Sequence, residues 1–142
     1  MLSVTDVNLL RGSFDRLRPL GVSATHLFYD RLFDEAPQRR SIFGETIDTQ
    51  AQKLWESLEF VFDTLDDPQN LDPALRKLGA HHAQFNLEQA DYNLVSSILI
   101  DLVSGTLGEE WTDAHANVWR DLMAHVSKTM MDGAAETRHR VA

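Results

Sequence analysis

The chain has 142 residues, of which 43% are hydrophobic and 25% charged, as expected for one globular domain with a sizeable core. Its formal net charge of -9 at pH 7 argues against a nucleic-acid surface and against binding to anionic membranes. Because cysteine is absent, disulfides, thiolate metal sites and catalytic thiols are excluded.

The N-terminus has neither the basic start nor the apolar stretch of a signal peptide. No apolar run approaches the roughly 18 residues that span a membrane. We therefore expect a cytoplasmic protein without membrane contact. Apolar residues recur at helical spacing, and Pro and Gly cluster between the periodic segments, which predicts an all-α fold.

The first predicted helix begins near Ser3, where Ser3-x-x-Asp6 is similar to a capping box, and Pro19 ends it. The second runs from about Leu20 to Asp34. Its apolar positions, with Tyr29 among them, are Leu27, Phe28, Leu32 and Phe33. Pro37 then opens a short helical turn that leads to Ile42 and Phe43.

The third predicted helix follows a polar connection, 44–49, with Asp48 or Thr49 as its N-cap. It ends at Asp66-Asp67-Pro68. Its apolar stripe consists of Leu54, Leu58, Val61, Phe62 and Leu65. Extending that stripe one turn towards the N-terminus reaches Gln50, a polar residue on an apolar face.

The fourth predicted helix has Asp72 as its N-cap and Pro73 as its first residue. Its inward stripe is formed by Leu71, Leu75 and Leu78. The next position on the stripe is His82, whereas His81 is rotated towards the flank of the helix. Taken alone, an inward histidine is more often a hydrogen-bonded core residue than a metal ligand.

A fifth predicted helix spans 88–107 and is broken by Gly108, and Thr112 caps a last helix. The last stripe is Trp119, Leu122, Val126 and Met130. We expect the compact domain to cover residues 1–133, with Asp132-Gly133 at its end. Residues 134–142 are predicted to form a polar, frayed tail.

Three polar side chains therefore lie on apolar stripes, namely Tyr29, Gln50 and His82. Each has a local explanation: a buried ring with a bonded hydroxyl, a capping or solvated amide, and an imidazole bonded to a carbonyl. One shared cause would explain all three. That cause is a prosthetic group held between the Gln50 helix and the His82 helix.

The order and spacing of short motifs resemble those of bacterial single-domain globins, which are related to the haem domain of flavohaemoglobins. The resemblance extends from about Ser3 to Met131. Its motifs are Leu27-Phe28-Tyr29-Asp-Arg-Leu32-Phe33, Pro37, Ile42-Phe43, Gln50-x-x-Lys53-Leu54, Leu78-Gly79-x-x-His82, Tyr92-x-x-Val95, and Gly108-x-x-Trp111-Thr112 with Trp119. The resemblance implies a globin fold around a haem b group (Fe-protoporphyrin IX).

The resemblance also implies a role for each site residue. His82 would be the proximal ligand of the haem iron, and Tyr29 with Gln50 the distal, catalytic pair. Tyr92 matches the tyrosine that orients the proximal histidine in flavohaemoglobins. The residues implied to bind the cofactor are Phe43, Lys53, Leu54, Leu78, His82, Leu87, Tyr92, Val95 and Leu99.

Two positions depart from the flavohaemoglobin pattern. The glutamate that bonds the proximal histidine in that group falls on Ala134, with Glu136 displaced from it, so a carboxylate-backed imidazole is not implied. The usual glycine after the proximal histidine is Asn86. Asparagine tolerates left-handed backbone, so we expect the turn to be retained.

The implied function is reversible binding of dioxygen at ferrous iron. Release should be slow because Tyr29 and Gln50 can both donate hydrogen bonds. A reaction with nitric oxide of the dioxygenase type would need a separate flavin reductase, so the partners are diatomic gases and a possible reductase. Two other readings stay open, a haem-based gas or redox sensor and a haem-free globin-like interaction module, as does the choice between monomer and homodimer.

Overall fold

Six α-helices and three short 3-10 turns make up the fold in the computed structural model, which describes residues 2–141 and the side chains as far as residue 139. The helices are α1 (Val4–Asp15), α2 (Val22–Glu35), α3 (Ile47–Asp63), α4 (Pro68–His82), α5 (Gln89–Leu107) and α6 (Asp113–Val141). The 3-10 turns are Pro37–Ile42, Ala83–Phe85 and Gly108–Glu110. Since this described range contains no strand, the predicted all-α class is confirmed.

Local capping chemistry starts two helices where the sequence predicts. At α1 the Asp6 amide donates to the Ser3 hydroxyl at 3.0 Å, and the Ser3 amide donates to the Asp6 carboxylate at 3.1 Å. This reciprocal pair is the predicted capping box. At α6 the His115 amide donates to the Thr112 hydroxyl at 3.3 Å, so the predicted cap of the last helix is confirmed as well.

The start of α3 differs from the prediction. The helix begins at Ile47, and its N-cap is Thr46, whose hydroxyl accepts from the Thr49 amide at 3.2 Å. The expected caps, Asp48 and Thr49, were wrong because both lie inside the first turn. There the Asp48 carboxylate complements the positive end of the helix dipole.

The start of α4 also differs. The helix begins at Pro68, which occupies a first-turn position where a missing N–H costs nothing, and Pro73 lies inside the helix. Asp72 is therefore not an N-cap. Its carboxylate instead lies 2.8 Å from the Nε2 of His125 on α6.

The last helix is longer than predicted. Instead of ending at Asp132-Gly133, α6 continues to Val141, and Ala134 is buried. The added turns are stabilised by contact with the end of α4, where the Arg138 guanidinium donates to the carbonyl of Ala83 at 3.3 Å. The helix end thus depends on a tertiary contact rather than on local sequence.

The core consists of two hydrophobic clusters. In the first, Phe14 stacks on Phe62 with ring centroids 4.2 Å apart, and the Trp119 indole donates to the Ser13 hydroxyl at 2.8 Å. The second cluster lies between α2, α3 and α5. Its buried members are Phe28, Tyr29, Leu32, Ala51, Ile98, Leu99 and Met123.

The backbones of α4 and α6 touch where the helices cross. A Cβ atom added to Gly79 would overlap the carbonyl of Met130 and lie 2.6 Å from its Cα. One added to Gly133 would overlap the carbonyl of Arg76 in the same way. Over the described residues α4 packs chiefly on α6 and makes little contact with α3.

No helix in the range 2–141 is both long enough and apolar enough to cross a membrane.

Candidate functional site

Tyr29 is a buried hydrogen-bond donor at one side of the candidate site. Its ring on α2 meets Phe43 edge to face with centroids 5.5 Å apart, and it meets Phe28 in the same manner at 5.0 Å. Burial raises the pKa of Tyr29 to about 12. The phenol is therefore neutral at physiological pH and can donate its O–H.

Apolar side chains pack around Tyr29. Leu99 is buried in the same cluster as Tyr29, and Phe43, Leu54 and Val95 pack against that cluster while remaining only half-buried. The four residues come from α3, α5 and the turn after α2. They form an apolar wall with part of its surface uncovered.

Gln50 and Lys53 share a hydrogen-bond partner, Glu45. The Gln50 amide nitrogen donates to Oε2 of Glu45 at 3.1 Å, and the Lys53 ammonium donates to the same oxygen at 2.6 Å. A carboxylate can only accept, so the atom of Gln50 that faces it is the nitrogen. The Gln50 amide is thus bonded to Glu45, and its role as a distal donor beside Tyr29 stays a prediction.

The sequence reasoning missed Glu45. The signal that could have found it is Thr46 as the N-cap of α3. With the helix beginning at Ile47, Gln50 and Lys53 lie one turn apart on one face, and both can reach back to the residue before the cap.

His82 lies at the last residue of α4, where it is half-buried, whereas the neighbouring His81 is exposed. The Nδ1 of His82 is 2.7 Å from the Leu78 carbonyl, which can only accept. Nδ1 therefore carries the proton, and the Nε2 lone pair is free to bind a metal. Leu78, which supplies this carbonyl, is itself half-buried.

The turn after His82 takes the predicted shape. Asn86 has φ 52° and ψ 46°, the left-handed conformation expected where the related globins have glycine. The turn delivers Leu87, which is half-buried, to the start of α5.

Tyr92 is buried near the start of α5. Burial raises the pKa of its phenol, and the positive charge of Arg138 partly offsets that shift. Ala134 is buried and Glu136 exposed, so the last helix presents an arginine to this region rather than a carboxylate. Sequence reasoning missed Arg138 because it placed residue 138 in a frayed tail.

The residues present fit a haem. The donor set combines one imidazole that has a free Nε2 with one buried phenol that can donate. Half-buried apolar side chains from α3, α4, α5 and the adjoining turns leave surface that a flat apolar group would bury. These side chains are Phe43, Leu54, Leu78, Leu87 and Val95.

Comparison with known proteins gives the following matches. The globin family model matches residues 26–130. A neuroglobin of Tetraodon nigroviridis is 27% identical over 149 residues, covering 95% of this chain and 94% of its own. A flavohemoprotein of Chromobacterium violaceum is 25% identical and covers 92% of this chain. The chain spans about a third of the length of the flavohemoproteins that it matches.

Solved structures match over almost the whole chain. An engineered carbene transferase derived from a proposed nitric oxide dioxygenase of Rhodothermus marinus has a TM-score of 0.84 at 25% identity, covering 99% of both chains. The hemoglobin of the botfly Gasterophilus intestinalis has a TM-score of 0.83 at 13% identity, covering 94% of this chain and 99% of its own. The second match shows similarity of fold alone.

Proposed function

The chain belongs to the globin family and is a haem-binding protein; from this premise we propose that it binds dioxygen reversibly, releases it slowly, and converts it with nitric oxide to nitrate. The family resemblance predicted from the sequence is confirmed by the match over residues 26–130. The haem is proposed to be haem b, and the reaction is proposed to take its electron from a separate flavin reductase.

The observation that carries the proposal is the combination of a free His82 Nε2 with a buried, neutral Tyr29 hydroxyl. When bound, haem supplies the iron at which a diatomic gas is held. His82 would hold the iron through its Nε2, while its Nδ1 proton is bonded to the Leu78 carbonyl. Tyr29 would donate its O–H to the bound gas.

The proposed cofactor contacts are those that the resemblance to globins implies, and they are supported by the buried or half-buried state of most of these side chains. Phe43 and Leu54 would cover the face of the haem on the Tyr29 side, and Leu78 and Leu87 the face on the His82 side. Val95 and Leu99 would line the inner edge. Tyr92 would help to orient His82. Lys53 is exposed and paired with Glu45, so it would have to change partner to reach a propionate.

The hydrogen bond that Tyr29 donates should be the main determinant of the dissociation rate of dioxygen. A hydrogen bond to a charged acceptor contributes about 1.5–3 kcal/mol, which corresponds to roughly a tenfold or larger effect on release. We expect Tyr29→Phe to accelerate dioxygen dissociation by at least about tenfold. Stopped-flow spectroscopy of the haem-loaded protein measures the rate directly.

Carbon monoxide serves as the internal control, since it accumulates less negative charge and gains less from a donor. Its dissociation from the Tyr29→Phe variant should change by only about two- to threefold, because the weaker bond is worth correspondingly less. Equal dioxygen rates for the variant and the wild type would contradict the role of Tyr29.

The proposed nitric oxide reaction combines one dioxygen, one nitric oxide and one electron to give one nitrate. The support is the similarity to flavohemoproteins and to the Rhodothermus marinus protein. The net charge of -9 suits a reductase with a basic docking face. Acidic charge and lack of cysteine also fit the proposed cytoplasmic location.

Mixing the oxygenated protein with nitric oxide should yield one nitrate per haem, and adding a flavin reductase with its nicotinamide should make the reaction catalytic. Nitrate analysis after rapid mixing measures both. Dioxygen binding without nitrate formation would favour a gas sensor or carrier over an enzyme.

A further inference from the structure

We propose that Glu45 is a latch that holds the Gln50 amide at the edge of the ligand site and thereby speeds the release of dioxygen. This inference rests on the proposed function, since it concerns the donors around the same ligand. The residue would act through Gln50, without touching the ligand, and so it is a positioning residue.

The latch consists of one carboxylate oxygen with two donors. Oε2 of Glu45 accepts from the Gln50 amide at 3.1 Å and from the Lys53 ammonium at 2.6 Å. The Lys53 charge makes the contact charge-assisted and holds the carboxylate in place. Since all three side chains are accessible to solvent at least in part, the contact can open and close without disturbing the core.

The start of α3 brings the three groups together. Thr46 caps the helix through its bond from the Thr49 amide, so Glu45 is held directly before the first turn. Gln50 and Lys53 are three residues apart and share a face of that helix. A carboxylate at this end is also favoured by the helix dipole.

The latch makes the two donors of the site unequal. The Tyr29 ring is packed against aromatic neighbours, and no hydrogen bond to another described residue has to break before its hydroxyl can donate. The Gln50 amide donates one N–H to Glu45, which holds the side chain at the edge of the site, and we propose that it must rotate and break that bond to donate beside Tyr29. Breaking one such bond shifts the balance between the two arrangements by about twofold to tenfold.

Glu45→Ala removes the acceptor at an exposed position and should leave folding unaffected. The chain offers a matched control on the same helix, because the Gln52 amide donates to the Glu56 carboxylate at 2.9 Å on an exposed surface. Glu56→Ala removes the same charge and the same kind of bond away from the ligand site.

The first measurement does not depend on haem. In ¹⁵N-labelled full-length protein, the side-chain amide signal of Gln50 is assigned by its loss in Gln50→Ala. Glu45→Ala should shift this signal and speed its hydrogen exchange, whereas Glu56→Ala should alter only the Gln52 signal. A Gln50 signal that is unchanged in Glu45→Ala would show that the latch does not form, whether or not the protein binds gas.

The second measurement uses the haem-loaded protein. Glu45→Ala should slow dioxygen dissociation by about twofold to tenfold, because the freed Gln50 amide adds a second donor. The slowing should vanish when Gln50→Ala is also present, as expected for two coupled residues. Glu56→Ala should have no effect on the rate.

Unchanged or faster release from Glu45→Ala would overturn the latch, as would slowing that persists without Gln50. Failure of the proposed function looks different. In that case the protein takes up no haem, or Tyr29→Phe leaves dioxygen dissociation unchanged, while the amide spectrum still reports on Glu45.

Discussion

The two sides of the site are held in different ways. On the His82 side, α4 lies in backbone contact with α6 at Gly79 and Gly133, and the imidazole is bonded to a carbonyl of its own helix. On the opposite side, the Tyr29 ring is fixed by aromatic packing. The Gln50 side chain, by contrast, is oriented by a hydrogen bond to the exposed carboxylate of Glu45. His82 is thus placed by close backbone packing, whereas the orientation of Gln50 depends on a hydrogen bond at the surface.

The largest loss of stability should come from disrupting the backbone contact between α4 and α6 on the His82 side. Gly79→Ala would drive a Cβ into the Met130 carbonyl, and because the obstacle is backbone, α4 and α6 must separate. We expect a loss of about 3 kcal/mol in the free energy of unfolding. Urea denaturation followed by circular dichroism measures it.

Gly105→Ala on α5 is the matched control, since a Cβ there would meet nothing within 4 Å. Alanine in a helix interior is favoured over glycine, so this variant should gain about 0.5–1 kcal/mol. Similar free energies of unfolding for the two variants would show that the α4–α6 crossing is not as close as described.

The burial of Tyr29 can be tested by measuring the stability of the protein at alkaline pH. Burial favours the neutral phenol and raises its pKa from 10.0 to about 12, so its stabilising effect is complete below pH 10 and is lost as pH rises through about 12. The loss from this residue should be about 2–3 kcal/mol. Tyr29→Phe should therefore flatten the fall in stability between pH 10 and 12.

Absorbance near the tyrosinate band provides the readout. The chain contains two tyrosines, Tyr29 and Tyr92, and burial raises the pKa of both. In the folded protein tyrosinate should therefore form only above pH 10. Titration of both equivalents at pH 10 or below would mean that Tyr29 is not buried as described.

A smaller effect is expected where α6 supports the end of α4. Arg138→Ala removes the hydrogen bond to the Ala83 carbonyl and should cost about 0.5–1.5 kcal/mol. Lys128→Ala on the same helix removes only an exposed ion pair with Asp132 and should cost less than about 0.5 kcal/mol. If the two variants unfold at the same urea concentration, the contact between Arg138 and Ala83 does not stabilise α4.

The sequence predicted those features that depend on neighbouring residues. The capping box at Ser3, the cap at Thr112 and the left-handed turn at Asn86 are each determined by a few adjacent side chains. Helical periodicity also distinguished His82 from His81. In the structure His82 is half-buried and His81 is exposed.

Features that depend on distant residues were not predicted. The end of α6 was placed too early because residues 134–141 are stabilised by α4 rather than by local propensity. The start of α4 was misplaced because both Pro68 and Pro73 suit a first turn. Nothing in the local pattern pairs Gly79 with Met130.

The absorption spectrum of haem-supplemented protein tests the central claim, that His82 holds a haem iron open to gas on its other side. Wild-type protein and His81→Ala should both show an intense Soret band that shifts on reduction with dithionite and again with carbon monoxide. His82→Ala should lose the band or its histidine-ligated form. A wild-type protein without a stoichiometric Soret band would contradict the account, as would loss of ligation in His81→Ala in place of His82→Ala.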